Sequence, residues 1–298
     1  MDWMSSLQKA IAYIEGHLKD EVKTEKIAAA VAMSPYYFQQ GFQVITGYSV
    51  AEYIRCRRLY LAALEILAGR GKVIDVAYSY GYSTPDSFTK AFSRFHGVSP
   101  LQLREHPEKL RTFLPLKIKI SIQGGDDMDY VVEKMEGFYL VGIPREVDFS
   151  SAYQEIPMFW NEFCQKHCNC AAADRKSVSE MERAIHAHQI GEYGVCMDDL
   201  PEKEKFRYLI AGHYVSGDIP PELEIVSFPA MEWAKFRCTG SLPAAMQAVN
   251  SRIFKEWLPN NPDYEICMGA SLEHYTQGNT QAADYSSEIW IPVKRREE

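Results

Sequence analysis

The stretch that decides the fold is Val73–Pro100, VIDVAYSYGYSTPDSFTKAFSRFHGVSP. Phe88, Ala91, Phe92 and Phe95 recur at three- and four-residue spacing and form one apolar stripe of a helix, with Asp86, Thr89, Lys90, Ser93 and Arg94 on the opposite face. Thr84 is placed to cap that helix, and Pro85 falls at the first helical position, where a missing N–H costs nothing. A shorter helical pattern precedes it. Gly81 lies in the bend between the two, where a left-handed backbone is cheapest for glycine. Two short helices joined in this way form a helix-turn-helix, the unit whose second helix enters a DNA major groove.

The same unit occurs earlier in the chain. Ile27, Ala28, Met33 and Ser34 return 49 residues later as Val76, Ala77, Tyr82 and Ser83, and Phe38, Phe42, Gly47 and Ser49 return 50 residues later as Phe88, Phe92, Gly97 and Ser99. The slip of one arises because Thr84 is inserted between Ser83 and Pro85, whereas Ser34 meets Pro35 directly. Two like-shaped surfaces in tandem suit a partner that itself repeats, and double-stranded DNA is such a partner. On the first reading helix Phe38, Phe42 and Ile45 point inward, so Tyr36, Gln39, Gln40 and Gln43 are expected on the outward face. A glutamine amide can donate to and accept from adenine at once.

Around these units, Trp3, Leu7, Ala10, Ile11, Ile14 and Leu18 predict a helix over 2–18, and Thr24 is expected to cap a helix over 25–31. Ile54, Leu61, Leu64 and Ala68 predict a linking helix over 50–68, whose Arg55, Arg57 and Arg58 could reach phosphates. The runs FTKAFSRFHGVSPLQLR (Phe88–Arg104) and AEYIRCRRL (Ala51–Leu59) resemble the DNA-binding domain of AraC/XylS-type transcriptional regulators, a resemblance that covers residues 7–104. It implies two helix-turn-helix units on a long helix, reading successive grooves through Tyr36, Gln39, Gln40 and Gln43 and through Asp86, Ser87, Thr89 and Lys90. It further implies an activator that touches RNA polymerase. The family often has arginine where this chain has Gln40, which shifts the expected preference toward A·T pairs.

Charge divides the 298 residues. Residues 1–111 carry 14 Lys and Arg against 11 Asp and Glu, while the remainder carries 18 against 29, within a total of −8. A net of +3 leaves less of the binding to phosphate neutralisation and more to sequence readout. The longest apolar run near the amino end, Ile27–Met33, falls far short of the roughly 20 residues that span a bilayer, so a cytoplasmic protein without membrane contact is expected. Seven cysteines, an odd number, fit reduced thiols. Cys164, His167, Cys168 and Cys170 cluster in sequence, but no second Cys/His pair completes a metal site. Gly-rich phosphate loops, G-x-S-x-G and H-E-x-x-H are absent, so no cofactor, metal or enzyme activity is expected. A monomer and a homodimer both fit.

Residues 112–128 are expected to form a linker, in which Leu116, Ile118, Ile120 and Ile122 alternate as a half-buried edge strand would. Beyond it, strands are predicted at 130–135 and 138–147, a helix opened by Pro157 through His167, and strands at 191–197 and 206–215. A second set has strands at 223–228 and 231–238, a helix at 243–258, and strands at 264–268 and 287–293. Ser179 and Glu182 form a capping-box pattern ahead of a short helix. The expected architecture is therefore an all-α double helix-turn-helix domain (1–111), then an α+β domain (129–298) of two pseudo-symmetric strand-strand-helix-strand-strand halves with a groove between them.

This second part is similar to the GyrI-like effector-binding domain, on the order of its elements, on SEIWIPV (Ser287–Val293) and on FPAMEWAKFRCTG (Phe228–Gly240). The resemblance implies a lipophilic, often cationic small molecule in a cleft containing a glutamate, for which Glu288 is the matching position. Alternation puts Glu288 and Trp290 on one face of their strand, where an acid beside aromatic rings could hold a cation. Trp160, Trp233, Trp257, Tyr139 and Tyr214 are candidate walls. Two alternatives stand beside this reading: a hydrolase with Glu288 as general base, and a protein-interaction module without a ligand.

Overall fold

The computed structural model describes residues 3–69, 71–118, 128–168, 179–201 and 204–296. Its contacts divide the chain into two compact units, Met1–Met33 with Thr46–Ile122, and Ser34–Ile45 with Gln123–Glu298.

The helices of the amino-terminal region are α1 (Trp3–Gly16), α2 (Thr24–Ala30), α3 (Pro35–Thr46), α4 (Val50–Leu67), α5 (Val73–Ser79), α6 (Pro85–His96) and α7 (Pro100–Glu105). Local chemistry sets their ends. Thr84 accepts a hydrogen bond from the Ser87 N–H at the start of α6, Pro85 follows it, and Gly97 closes the helix in the left-handed conformation. Ser49 caps α4 through the Glu52 N–H, and Ser99 with Gln102 forms a capping box on α7. The expected Thr24 cap is not made: Thr24 is the first residue of α2, and Lys23 precedes it without a side-chain bond.

In the first unit, Leu59, Ala62 and Ile66 of α4 pack with Val76, Ala77, Phe88, Phe92 and Leu103, all essentially buried. The apolar stripe of α6 is the face that meets this core. Two of the three arginines expected to reach phosphates are spent inside the unit. Arg57 is buried and holds Glu15 through Nε and Nη2, both at 2.8 Å, while Tyr53 donates to the same carboxylate at 2.7 Å. Arg58 donates to the carbonyls of Leu18 and Asp20. Arg55 is the exposed one. The linking helix faces its neighbours on several sides, so a stripe of four apolar residues underestimates how much of it is covered.

Among the described residues, the second unit is built on a nine-stranded antiparallel sheet. Its strands are β1 (Tyr130–Met135), β2 (Phe138–Asp148), β3 (Tyr193–Met197), β4 (Lys205–His213), β5 (Glu224–Phe228), β6 (Met231–Thr239), β7 (Tyr264–Ile266), β8 (Ala270–Tyr275) and β9 (Ser286–Arg295), and its helices α8 (Ala152–Phe163), α9 (Glu180–Ala187) and α10 (Ala244–Arg252). The order across the sheet is β1-β6-β9-β8-β3-β4-β2-β5, with β7 beside β9. Exchanging β1 with β5, β2 with β6, β3 with β8 and β4 with β9 turns this order into its own reverse. The two halves are thus related by a pseudo-two-fold lying between β3 and β8, and each lends its first strand to the edge of the other.

Three expectations differ here. Helix α8 begins at Ala152 and carries Pro157 inside it, not at its start, while Phe159 and Phe163 beyond the proline form its buried face. Strand β8 has no counterpart among the predicted elements. Leu116–Ile118 are not in a strand, and the rest of the predicted edge strand, 119–122, lies outside the described residues, as do Cys170 and the side chain of Cys168. Among the described residues no helix is long and apolar enough to cross a membrane.

Candidate effector cavity and reading helices

Alternation along the central strands separates two faces. Leu140, Val195, Leu209, Leu272, Trp233 and Trp290 fill a core on one side. On the other, Cys196, Phe206, Ser271, Glu273, Tyr275 and Ile289 border a cavity of about 1060 Å³. Helix α8 contributes Tyr153, Ile156 and Trp160, α10 contributes Met246 and Asn250, and α3 contributes Tyr36, Gln40, Gln43 and Val44. Its lining, among the described residues, holds neither Lys nor Arg.

Glu273 is the focus of this cavity. Its carboxylate accepts hydrogen bonds from Tyr208 at 2.6 Å and from Tyr275 at 2.7 Å, and the Trp160 indole N–H donates to the Tyr208 hydroxyl at 2.8 Å. The Trp160 and Tyr275 rings meet edge to face at 4.7 Å. Burial pushes the Glu273 carboxyl above the usual carboxylate range, against the two tyrosine hydrogen bonds, which favour the ionised form. Burial also raises the Tyr208 and Tyr275 hydroxyls, so both remain protonated donors. Gly194 lies across from Glu273 in the β3–β8 register, and a Cβ there would run into the Tyr208 hydroxyl and the Glu273 carboxylate. An acid with its lone pairs partly satisfied and aromatic edges beside it can hold a cation.

The residues anticipated for this site are scattered. Trp160 lines the cavity, and the other six do not. Glu288 and Trp290 face away from it, because β9 presents Ile289 to the cavity. There Glu288 is half-buried, accepts from the Trp290 indole N–H at 2.7 Å and lies 3.5 Å from His274 Nδ1. Trp233 is a core residue, Trp257 packs on Phe236 and Tyr130, Tyr139 is largely exposed, and Tyr214 stacks on His188. Glu288 therefore does not line this cavity, and the counter-ion or general-base role expected of it there is not supported. The signal for Glu273 was present in ASLEHY, where Ser271, Glu273 and Tyr275 share one face of a strand. Among the described residues no cluster of three or more His, Cys, Asp or Glu is placed to hold a metal.

The eight DNA-reading positions divide by helix. On α6, Asp86, Ser87, Thr89 and Lys90 are all exposed, with the Ser87 and Thr89 hydroxyls donating back to the carbonyls of Thr84 and Pro85. On α3 the expected outward face is covered. Tyr36 and Gln39 are 1% and 6% exposed, and Gln40 and Gln43 border the cavity. The cause is a second large aromatic surface on α3. Tyr36 and Tyr37 are both buried, and their hydroxyls find Ser271 and the Ala270 carbonyl on β8.

Tandem helix-turn-helix elements followed by a two-fold sheet with an acid-centred cavity define a class: a helical DNA-binding module joined to a small-molecule-binding domain. The chain belongs to the GyrI-like small molecule binding domain family over residues 128–294, with an AraC-type helix-turn-helix domain over residues 27–106. Similar proteins include the uncharacterized HTH-type transcriptional regulator YbfP of Bacillus subtilis, 31% identical over 142 residues, which are 48% of this chain and 44% of that protein. The HTH-type transcriptional activator AarP of Providencia stuartii is 31% identical over 117 residues, 39% of this chain and 87% of AarP. The chain spans less than half of YbfP and 37% of the Right origin-binding protein of Escherichia coli. A solved structure of SAV2435 bound to tetraphenylphosphonium matches with a TM-score of 0.44 at 22% identity, over 56% of this chain and 94% of that one.

Proposed function

We propose that this protein is a DNA-binding transcriptional regulator whose GyrI-like unit takes a lipophilic organic cation into the cavity, with Glu273 as its counter-ion. One observation carries the ligand class. A partly buried carboxylate stands in an aromatic cavity whose described lining has neither Lys nor Arg. Leaving that charge uncompensated is costly, and a desolvated cation with a broad apolar body both neutralises it and fills the volume. Trp160 and Tyr275 supply edges and faces for such a body.

The regulator reading draws on the helix-turn-helix family and on the exposed polar face of α6, through which Asp86, Ser87, Thr89 and Lys90 read bases. The name of AarP favours an activator, and an activator contacts RNA polymerase. Calorimetric titration of the full chain with tetraphenylphosphonium and with a neutral analogue of similar shape tests the ligand class. The cation is expected to bind more tightly by at least about tenfold. Equal affinities would defeat the assignment of a cation.

A further inference from the structure

Helix α3 is fastened to the sheet at its amino end. The Tyr36 N–H donates to Asp198 Oδ2 at 2.9 Å, while Ser34 Oγ accepts from the Tyr37 N–H at 3.2 Å. Asp198 is itself fixed, since its N–H donates to the Gly269 carbonyl at 2.8 Å just ahead of β8. Next to this contact the Tyr36 and Ser271 hydroxyls are 3.0 Å apart, the Tyr37 hydroxyl donates to the Ala270 carbonyl, and the Tyr36 ring packs on Phe149 and Phe206 at 5.7 Å. A carboxylate oxygen thus sits on a first-turn amide at the positive end of a twelve-residue helix. In complexes with DNA, first-turn amides and the positive end of a helix take a backbone phosphate.

We propose that the β3–β8 surface holds the first reading helix in an autoinhibited state, with the Asp198 carboxylate in the place of a DNA phosphate. The inference rests on the reading of α3 as a DNA-contacting element. Tyr36 and Gln39 cannot touch bases while they are buried on the sheet, and a phosphate cannot reach the Tyr36 amide while Asp198 occupies it. Duplex must therefore draw α3 off the sheet. The measured affinity is lowered by the small fraction of molecules in which α3 is free.

Asp198→Asn removes the charge and keeps the shape, and Asp198→Ala removes the acceptor as well. A hydrogen bond to a charged group shifts such an equilibrium by about tenfold, so both variants of the full chain should bind a selected duplex roughly three- to tenfold more tightly. Asp218→Asn, an exposed acid in the same unit, controls for the change in net charge. Amide hydrogen exchange without DNA provides a second readout, in which residues 36–45 should exchange faster in the Asp198 variants. Faster exchange with unchanged DNA affinity overturns the autoinhibition, and unchanged exchange overturns the role of Asp198. Lys90→Ala separates the two levels. If it weakens binding while the Asp198 variants do not tighten it, DNA reading stands and this inference fails; if neither wild type nor any variant binds duplex, both fail.

Discussion

Replacing Glu273 by Gln tests the cavity chemistry at one atom pair. The amide oxygen can still accept from Tyr208 and Tyr275, whose hydroxyls lie 2.6 and 2.7 Å from the carboxylate, so the change removes charge with little loss of shape. Two unit charges about 5 Å apart at an effective dielectric near 20 attract by about 3 kcal/mol, which is roughly 150-fold in affinity. Titration of Trp160 fluorescence with tetraphenylphosphonium should show a loss of that order in the variant and no change for a neutral analogue. Proton competition gives an independent check. Because burial raises the Glu273 carboxyl, cation affinity of the wild type should fall about tenfold per pH unit below its raised pKa and level off above it. The Glu273→Gln variant should show no such slope. Equal affinity of variant and wild type for the cation, or a slope that survives the substitution, would refute the counter-ion reasoning.

Other outcomes follow from the same geometry. Without ligand, the folded state holds a proton on Glu273 that the unfolded chain releases, so this group's contribution to stability falls as pH rises from the usual carboxylate range through the raised pKa. Urea unfolding of wild type minus Glu273→Gln isolates it, with a slope of at most about 1.4 kcal/mol per pH unit. Gly194→Ala drives a methyl group into Tyr208 and Glu273, and should cost about 1–3 kcal/mol in stability together with cation affinity. Arg57→Ala takes from Glu15 its buried charged partner, leaving it the Tyr53 hydroxyl, and should destabilise the protein by about 1–3 kcal/mol, measured by denaturant unfolding. A phosphate-contacting arginine would instead change the salt dependence of DNA binding and leave stability alone.

The parts of the fold that could be read from sequence are those whose causes are local. The second helix-turn-helix was legible because Thr84, Pro85, Gly81 and Gly97 set its ends and Phe88, Phe92 and Phe95 set its buried face. The order of strands and helices in the second unit, β8 excepted, was legible for the same reason, from alternation and turn residues. What escaped depends on which face of an element meets what. Strand β9 is apolar on both faces, Ile289 and Ile291 against Trp290, so alternation could pair Glu288 with Trp290 but could not say which side opens on a cavity. Strand β8 is six residues with His, Glu and Ser among them, a composition that reads as loop, and the acid of the site went with it. On α3 the helical period groups Tyr36, Gln39, Gln40 and Gln43 on one face, but it carries no information about a partner that arrives from more than 160 positions away in the chain.

Helix α3 is the proposed link between ligand and DNA, since its Gln40, Gln43 and Val44 border the cavity. A cation bound with that helix in place makes contacts that vanish when the helix engages duplex, so each must weaken the other by the same factor. The decisive measurement is the affinity of the full chain for a selected duplex, by fluorescence anisotropy, with and without saturating tetraphenylphosphonium. Weaker duplex binding with the cation present, lost in Glu273→Gln, is the predicted result. Duplex affinity unchanged or tightened while calorimetry shows the cavity filled would contradict the account.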